Sequence, residues 1–122
     1  MRRRAVVADR IAELLQRERA EFIVGFPENR LLNSASLIGM RPIIARTERV
    51  AVNIADGFAR MTNGDRITAC AVQYGPGAES MFGAVAQAFG DRSPIRTALS
   101  GRAGFPADHQ VGRHAQRRPA RA

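Results

Sequence analysis

Glu48 opens the stretch RTERVAVNIADGFAR, Arg46 to Arg60, in which small apolar residues dominate. A carboxyl in such surroundings loses water and can share a proton with a weak base, so acid–base work is the chemistry this placement offers. The plainer role for the same acid is to complement a helix N-terminus, worth about 0.3 kcal/mol. Gly75, Pro76 and Gly77 form a second feature, which by itself reads as a strand-to-helix turn. Asp56 reads as a structural or dimer-contact acid rather than a catalyst. Cys70, within ITACAV, reads as a small apolar residue on a buried strand, and as the single cysteine it forms no intramolecular disulfide. His109 and His114 stand five apart in an aperiodic tail and do not make a metal site.

The elements that must position these groups follow from hydrophobic spacing. Residues 5–20 carry Val6, Ile11, Leu14 and Leu15 among charged residues, an amphipathic surface helix. The run FIVGF, ended by Pro27, has the length and β-branched content of a buried strand. Helical spacing resumes through Leu31, Leu32, Ala35 and Ile38 and closes at Gly39, and Pro42 to Ala45 reads as a second strand. The Glu48 helix carries Val50, Ile54 and Phe58 in one stripe and Ala51, Ala55 and Ala59 in another, and both stripes are expected to be buried. Gly57 interrupts it at a penalty of about 1 kcal/mol relative to Ala, which predicts a close backbone or ligand there. Thr62, Asn63 and Gly64 give a turn, Ile67 to Val72 a third strand, and Pro76 the first position of a helix with Met81, Phe82, Val85 and Phe89 on one face. Strand and helix thus alternate three times, which predicts an α/β fold: a partial doubly wound parallel sheet with helices on both faces.

Composition limits the function classes. The 122 residues fit one domain, and the net charge of +8 sits at the two ends. Residues 2–4 are three arginines, and residues 96–122 hold six arginines against Asp108. Residues 5–95 balance ten arginines with ten acids, so the expected folded part has no net field to steer a polyanion and a nucleic-acid partner is not expected. All 19 basic residues are Arg, a bias that G/C-rich codon usage explains better than a binding surface. No apolar run follows the N-terminal arginines, so neither a signal peptide nor a membrane span is expected, and the lone thiol suits a reducing cytoplasm. From Ser93 onward the pattern calls for a fourth strand, yet the sequence turns to Arg, Gly, Pro and Ala. Residues 96–122 therefore read as a disordered basic C-terminal tail, the alternative being a short strand at Ile95 to Leu99 with a disordered end.

Four segments in order resemble one family. GFPENR at Gly25 to Arg30, RTERVAVNIADGFAR, QYGPGAES at Gln73 to Ser80 and AQAFGDRSPI at Ala86 to Ile95 are similar to the N-terminal pyrimidine-binding domain of thiamine-diphosphate enzymes of the acetolactate synthase and benzoylformate decarboxylase type. The resemblance covers residues 1–95 as an incomplete domain. It implies that the acid matching Glu48 hydrogen-bonds N1′ of the cofactor aminopyrimidine and promotes its imino tautomer, which then takes the thiazolium C2 proton. It implies that Phe26 and Pro27 wall the aminopyrimidine and that the backbone at Gly75 and Pro76 runs close to it. At Ser80 the family usually has an asparagine, and the serine hydroxyl is shorter than that amide and offers different donors.

The same resemblance implies that thiamine diphosphate lies between this domain and a diphosphate-binding domain of another chain, whose G-D-G motif and downstream Asn hold Mg2+. Neither motif occurs in this sequence, so the chain is expected to supply half a site, to act only in a homo- or hetero-oligomer, and to be inactive alone. The leading expectation is a truncated or frameshifted fragment of an enzyme acting on 2-oxo acids. The alternative is a small pyrimidine-binding subunit of a split two-subunit 2-oxo acid decarboxylase. A basic-tailed nucleic-acid protein is a third reading that rests only on the terminal arginines.

Overall fold

The computed structural model describes residues 6–27 and 30–100. The elements run α1 (Val7–Arg17), β1 (Phe22–Gly25), α2 (Arg30–Leu37), β2 (Arg41–Ile44), α3 (Glu48–Met61), β3 (Ala69–Gln73), α4 (Pro76–Gly90) and β4 (Arg96–Ser100). All strand pairs are parallel and the sheet order is β2-β1-β3-β4. Gly25 at the end of β1 stands opposite Ile44 of β2 and Ala71 of β3. The α/β expectation therefore matches the architecture.

Alternation along the strands divides the core into two faces. Ile23, Ala69 and Ala71 pack with Ala12 of α1 and with Leu31, Leu32 and Ala35 of α2. Val24, Cys70 and Val72 point the other way, onto Ala51, Val52 and Ala55 of α3 and Met81 and Ala84 of α4. The chain steps one way across the sheet from β1 to β2 and the opposite way from β2 to β3 and β4. A single crossover hand then requires α2 to cover the face opposite α3 and α4, as it does. Asp9 joins the first two helices: its carboxylate accepts from Val6 N at 2.9 Å and from Ser34 Oγ at 2.7 Å.

Several sequence expectations need correction. Residues Arg96–Ser100 form β4, paired with β3 from Ala69↔Arg96 to Gln73↔Ser100, so the aperiodic stretch begins with a strand, as the alternative reading had it. An edge strand in a parallel sheet takes its order from the neighbour's hydrogen-bonding row, not from an apolar period of its own. The rest of the tail, with His109 and His114, lies outside the described residues. In β3, Val72 is fully buried, and Ile67 just before it is half-buried.

Of the two stripes expected on α3 only the alanine one is buried, together with Val52 and Asp56; Val50 is exposed, and Ile54 and Phe58 are half-buried. The Phe58 ring meets Phe22 edge-on, with centroids 4.8 Å apart. On α4 the buried positions are Gly77, Met81, Ala84 and Ala88, while Phe82 and Phe89 face outward at 64 % and 84 % exposure. Two helices that share one sheet face approach closely through small residues, which displaces their larger side chains to the flanks. A Cβ built on Gly57 meets nothing within 4 Å among the described residues, so no close backbone explains this glycine.

Candidate functional site

The order β2-β1-β3 places a topological switch point between β1 and β3. In open α/β sheets the crevice outside the carboxyl ends of the strands at such a point is where ligands bind. Three loops leave that edge. Phe26 and Pro27 follow β1, Thr47 and Glu48 follow β2, and Tyr74 to Gly77 follow β3. Ala45 N donates to Gly25 O at 2.8 Å, which carries the β1–β2 pairing right up to the first two loops.

Glu48 is held there by local helix chemistry. Thr47 is the N-cap of α3, extended at φ −149°, and its Oγ1 accepts from Val50 N at 3.2 Å. Glu48 is then the first helical residue, half-buried, and no hydrogen bond or ion pair reaches its carboxyl from the other described residues. The adjacent cation, Arg49, lies instead against α4: a methyl built on Gly83 would stand 3.1 Å from the Arg49 guanidinium.

The turn after β3 comes up against this acid. Gly75 caps α4 at φ +66°, a conformation that favours glycine, and Pro76 occupies the first turn. Gly77 is buried, and a methyl there would lie 3.4 Å from Glu48 Oε1 and 3.4 Å from Gln73 Cβ. The buried Cys70 thiol of β3 is pushed up to about 12, first by burial and then by the charge of Glu48. Glu48 and Gly77 therefore form one cluster, and the charge of the acid reaches Cys70. Spacing alone did not assign Gly77 to the site, although the second glycine of a G-P-G turn, placed inside a helix where Gly is disfavoured, was a signal for it.

The remaining sequence candidates sit around this cluster. Phe26 is half-buried and Pro27 exposed, both just beyond β1; Gly75 and Pro76 are exposed; Ser80 is half-buried, one turn further along α4. Asp56 lies away from the edge and is 4 % exposed. Its carboxylate accepts from Arg60 Nε at 3.0 Å, and Arg60 also pairs with Asp91 beyond the end of α4. The Arg60 guanidinium holds the Asp56 carboxyl below its ordinary 3.8 despite the opposing effect of burial. Asp56 is thus part of a clip between α3 and the α4–β4 connection.

The arrangement can do a defined kind of chemistry. A half-buried acid without a partner among the described residues, next to a bare glycine and at the carboxyl edge of the sheet, can share a proton with a planar heterocycle laid across the G-P-G turn.

Comparison with known proteins places the chain in a family. The family described as thiamine pyrophosphate enzyme, N-terminal TPP binding domain, matches over residues 5–118, beyond Ile95 and β4. The acetolactate synthase large subunit of Haemophilus influenzae is 30 % identical over 92 residues, covering 72 % of this chain and 16 % of that protein. Probable acetolactate synthase large subunits of Methanocaldococcus jannaschii and Methanococcus aeolicus are each 32 % identical over 97 residues, covering 77 % of this chain and 16 % of theirs. The chain thus spans 16 % of the length of these curated relatives. No helix among the described residues is long and apolar enough to cross a membrane.

Proposed function

Because the chain belongs to the family of thiamine pyrophosphate enzyme N-terminal TPP binding domains, we propose that its carboxyl-edge site holds the aminopyrimidine end of thiamine diphosphate. The observation that carries this reading is the half-buried Glu48 carboxyl, which has no hydrogen-bond or ion-pair partner among the described residues, beside the G-P-G turn. The donor set fits the group. An aminopyrimidine offers a weakly basic ring nitrogen and a flat face, and the site offers an acid to share that proton and a backbone open to stacking. Phe26 and Pro27 after β1 and Gly75 and Pro76 after β3 stand on the two sides of the switch point, where they can bound such a ring. Ser80 supplies a hydroxyl one turn away.

When bound, thiamine diphosphate supplies the carbanion chemistry by which such enzymes work on 2-oxo acids. This chain's contribution is to orient the ring, to shield it from water on the side of α3 and α4, and to hold or move a proton at the Glu48 carboxyl. The diphosphate and its Mg2+ fall to a diphosphate-binding domain of another chain, so catalysis belongs to an acetolactate synthase-like oligomer and the isolated chain is inactive.

Two measurements test the reading. Thiamine added to the 15N-labelled chain is expected to shift the amides of residues 75–77 and of Glu48, and Glu48→Gln is expected to weaken that response while leaving the remaining spectrum folded. With a diphosphate-binding partner chain, Glu48→Gln is expected to lose turnover of a 2-oxo acid by on the order of 100-fold or more, the usual range for a lost acid–base group. Unchanged turnover, together with unchanged thiamine shifts, rules out the assigned role.

A further inference from the structure

The two edges of the sheet differ in what they offer a further strand. Gly25 of β1 stands opposite Ile44, and its carbonyl accepts from Ala45 N at 2.8 Å. In a parallel ladder the N–H and C=O of one residue point to the same side, and that side alternates along the strand. Ile43 and Ala45 thus bond β1, while the backbone groups of Pro42 and Ile44 point to the outer edge. Proline has no N–H, so an outward donor of β2 is missing and that edge is blunted.

The opposite edge carries no such block. Across the register the same alternation turns Val24 to β3 and turns Cys70 and Val72 to β4, which leaves the N–H and C=O of Thr97 and Leu99 on the outer side of β4. Among the described residues no strand pairs with that row. The flank of α4 above it is apolar. Gly77 and Gly83 are the positions of α4 that meet α3, through Glu48 and Arg49, and Met81 and Ala84 are buried in the core on the sheet. At 3.6 residues per turn, Phe82 and Phe89 then come out on the side of α4 away from α3. The sheet order makes that side the β4 flank. The two rings are 64 % and 84 % exposed, and residues 80–90 carry no charge.

We propose that this edge is an interface between two copies of the chain, paired antiparallel through β4 about a two-fold axis at Ala98. Thr97 of each copy then faces Leu99 of the other, and each such pair exchanges both its N–H···O bonds, so every outward group of the two strands is used. Arg96 falls opposite Ser100, which keeps the two arginines about 14 Å apart along the ladder. The axis sets both α4 helices on one face of the joined sheet, with their Phe82 and Phe89 flanks toward each other. At their exposure the rings bring about 300 Å2 per copy, the scale of a weak, concentration-dependent association. Residues 101–122 follow β4 directly, yet with Val111 as their one β-branched residue among Arg, Gly and Pro they are a poor match for a strand. The Glu48 crevice lies on the α3 side of α4, so the pairing stands apart from the cofactor reading.

The test is amide hydrogen exchange and light scattering on the full chain across a concentration series. The Thr97 and Leu99 amides are expected to gain protection as concentration rises, in step with a mass that moves toward that of a dimer. Thr97→Pro copies on this edge the device of Pro42: it deletes an outward N–H and no bond to β3, so it is expected to keep the fold and to weaken association by about tenfold or more. Ala98→Pro is the control, since it removes a donor to β3 and lowers the melting temperature. Should Thr97→Pro fail to fold, the double change Phe82→Ser, Phe89→Ser decides, and it is expected to weaken the same association with β4 intact. Protection of the two amides that ignores concentration means that residues 101–122 fill the row, which overturns the proposal. A chain that stays monomeric, one that associates while these amides exchange freely, or variants that associate like the parent overturn it as well.

Discussion

At Glu48 two demands compete, since an acid that works on a ligand must be partly dehydrated and yet unpaired. The chain meets both by setting it on the first turn of α3, where Thr47 rather than Glu48 satisfies the orphan N–H of Val50. Among the glycines Gly25 is the tightest: a methyl there would lie 2.5 Å from Ala71 O and 2.8 Å from Leu32 Cδ1. The first of these neighbours is backbone and has nowhere to go. Gly25→Ala is therefore expected to destabilise the chain by about 2 kcal/mol or more, the scale of an overpacked core, measured as a lower denaturation midpoint with an unchanged slope. A loss below about 0.5 kcal/mol would mean that β1 and β3 can separate without penalty.

Among the elements, α3 and α4 form the tightest unit, because alanines on both let their backbones approach while each covers the same sheet face. The Asp56–Arg60–Asp91 clip closes the end of this pair remote from Glu48. Its pH dependence follows from the lowered Asp56 value. A carboxylate whose folded pKa lies below its unfolded 3.8 stabilises the fold fully above that value and loses the contribution as pH falls through the lower folded value. Melting temperatures are thus expected to fall steeply below about pH 4, and Asp56→Asn is expected to lower the neutral-pH melting temperature while flattening that acid limb. An Asp56→Asn chain with the parent's full acid dependence would locate the sensitivity in other carboxylates.

For the whole molecule, the outward-facing Phe82 and Phe89, with Met61 at 87 % exposure, leave a share of its large apolar surface outside the core. Replacing Phe82 and Phe89 by Ser is expected to change unfolding free energy by no more than about 0.5 kcal/mol each, the range of ordinary surface substitutions. It is also expected to reduce self-association, read by light scattering; a large loss of stability would mean that these rings pack against the core after all. Sequence by itself determined the elements of the fold, because strand alternation and small-residue helical stripes are local patterns, and Pro27, Gly39, Gly64 and Pro76 punctuate them where the chain turns. It also singled out Glu48 and the G-P-G turn, since an acid opening an apolar helix and a strand-to-helix turn are both visible in neighbouring residues. Tertiary structure alone decided which helical stripe is buried, that Arg96–Ser100 is a strand, that Gly77 lies against Glu48 and that the charge of this acid reaches Cys70. Those outcomes depend on contacts between residues distant in the chain: how closely α3 and α4 approach, and which hydrogen-bonding edge β3 leaves open.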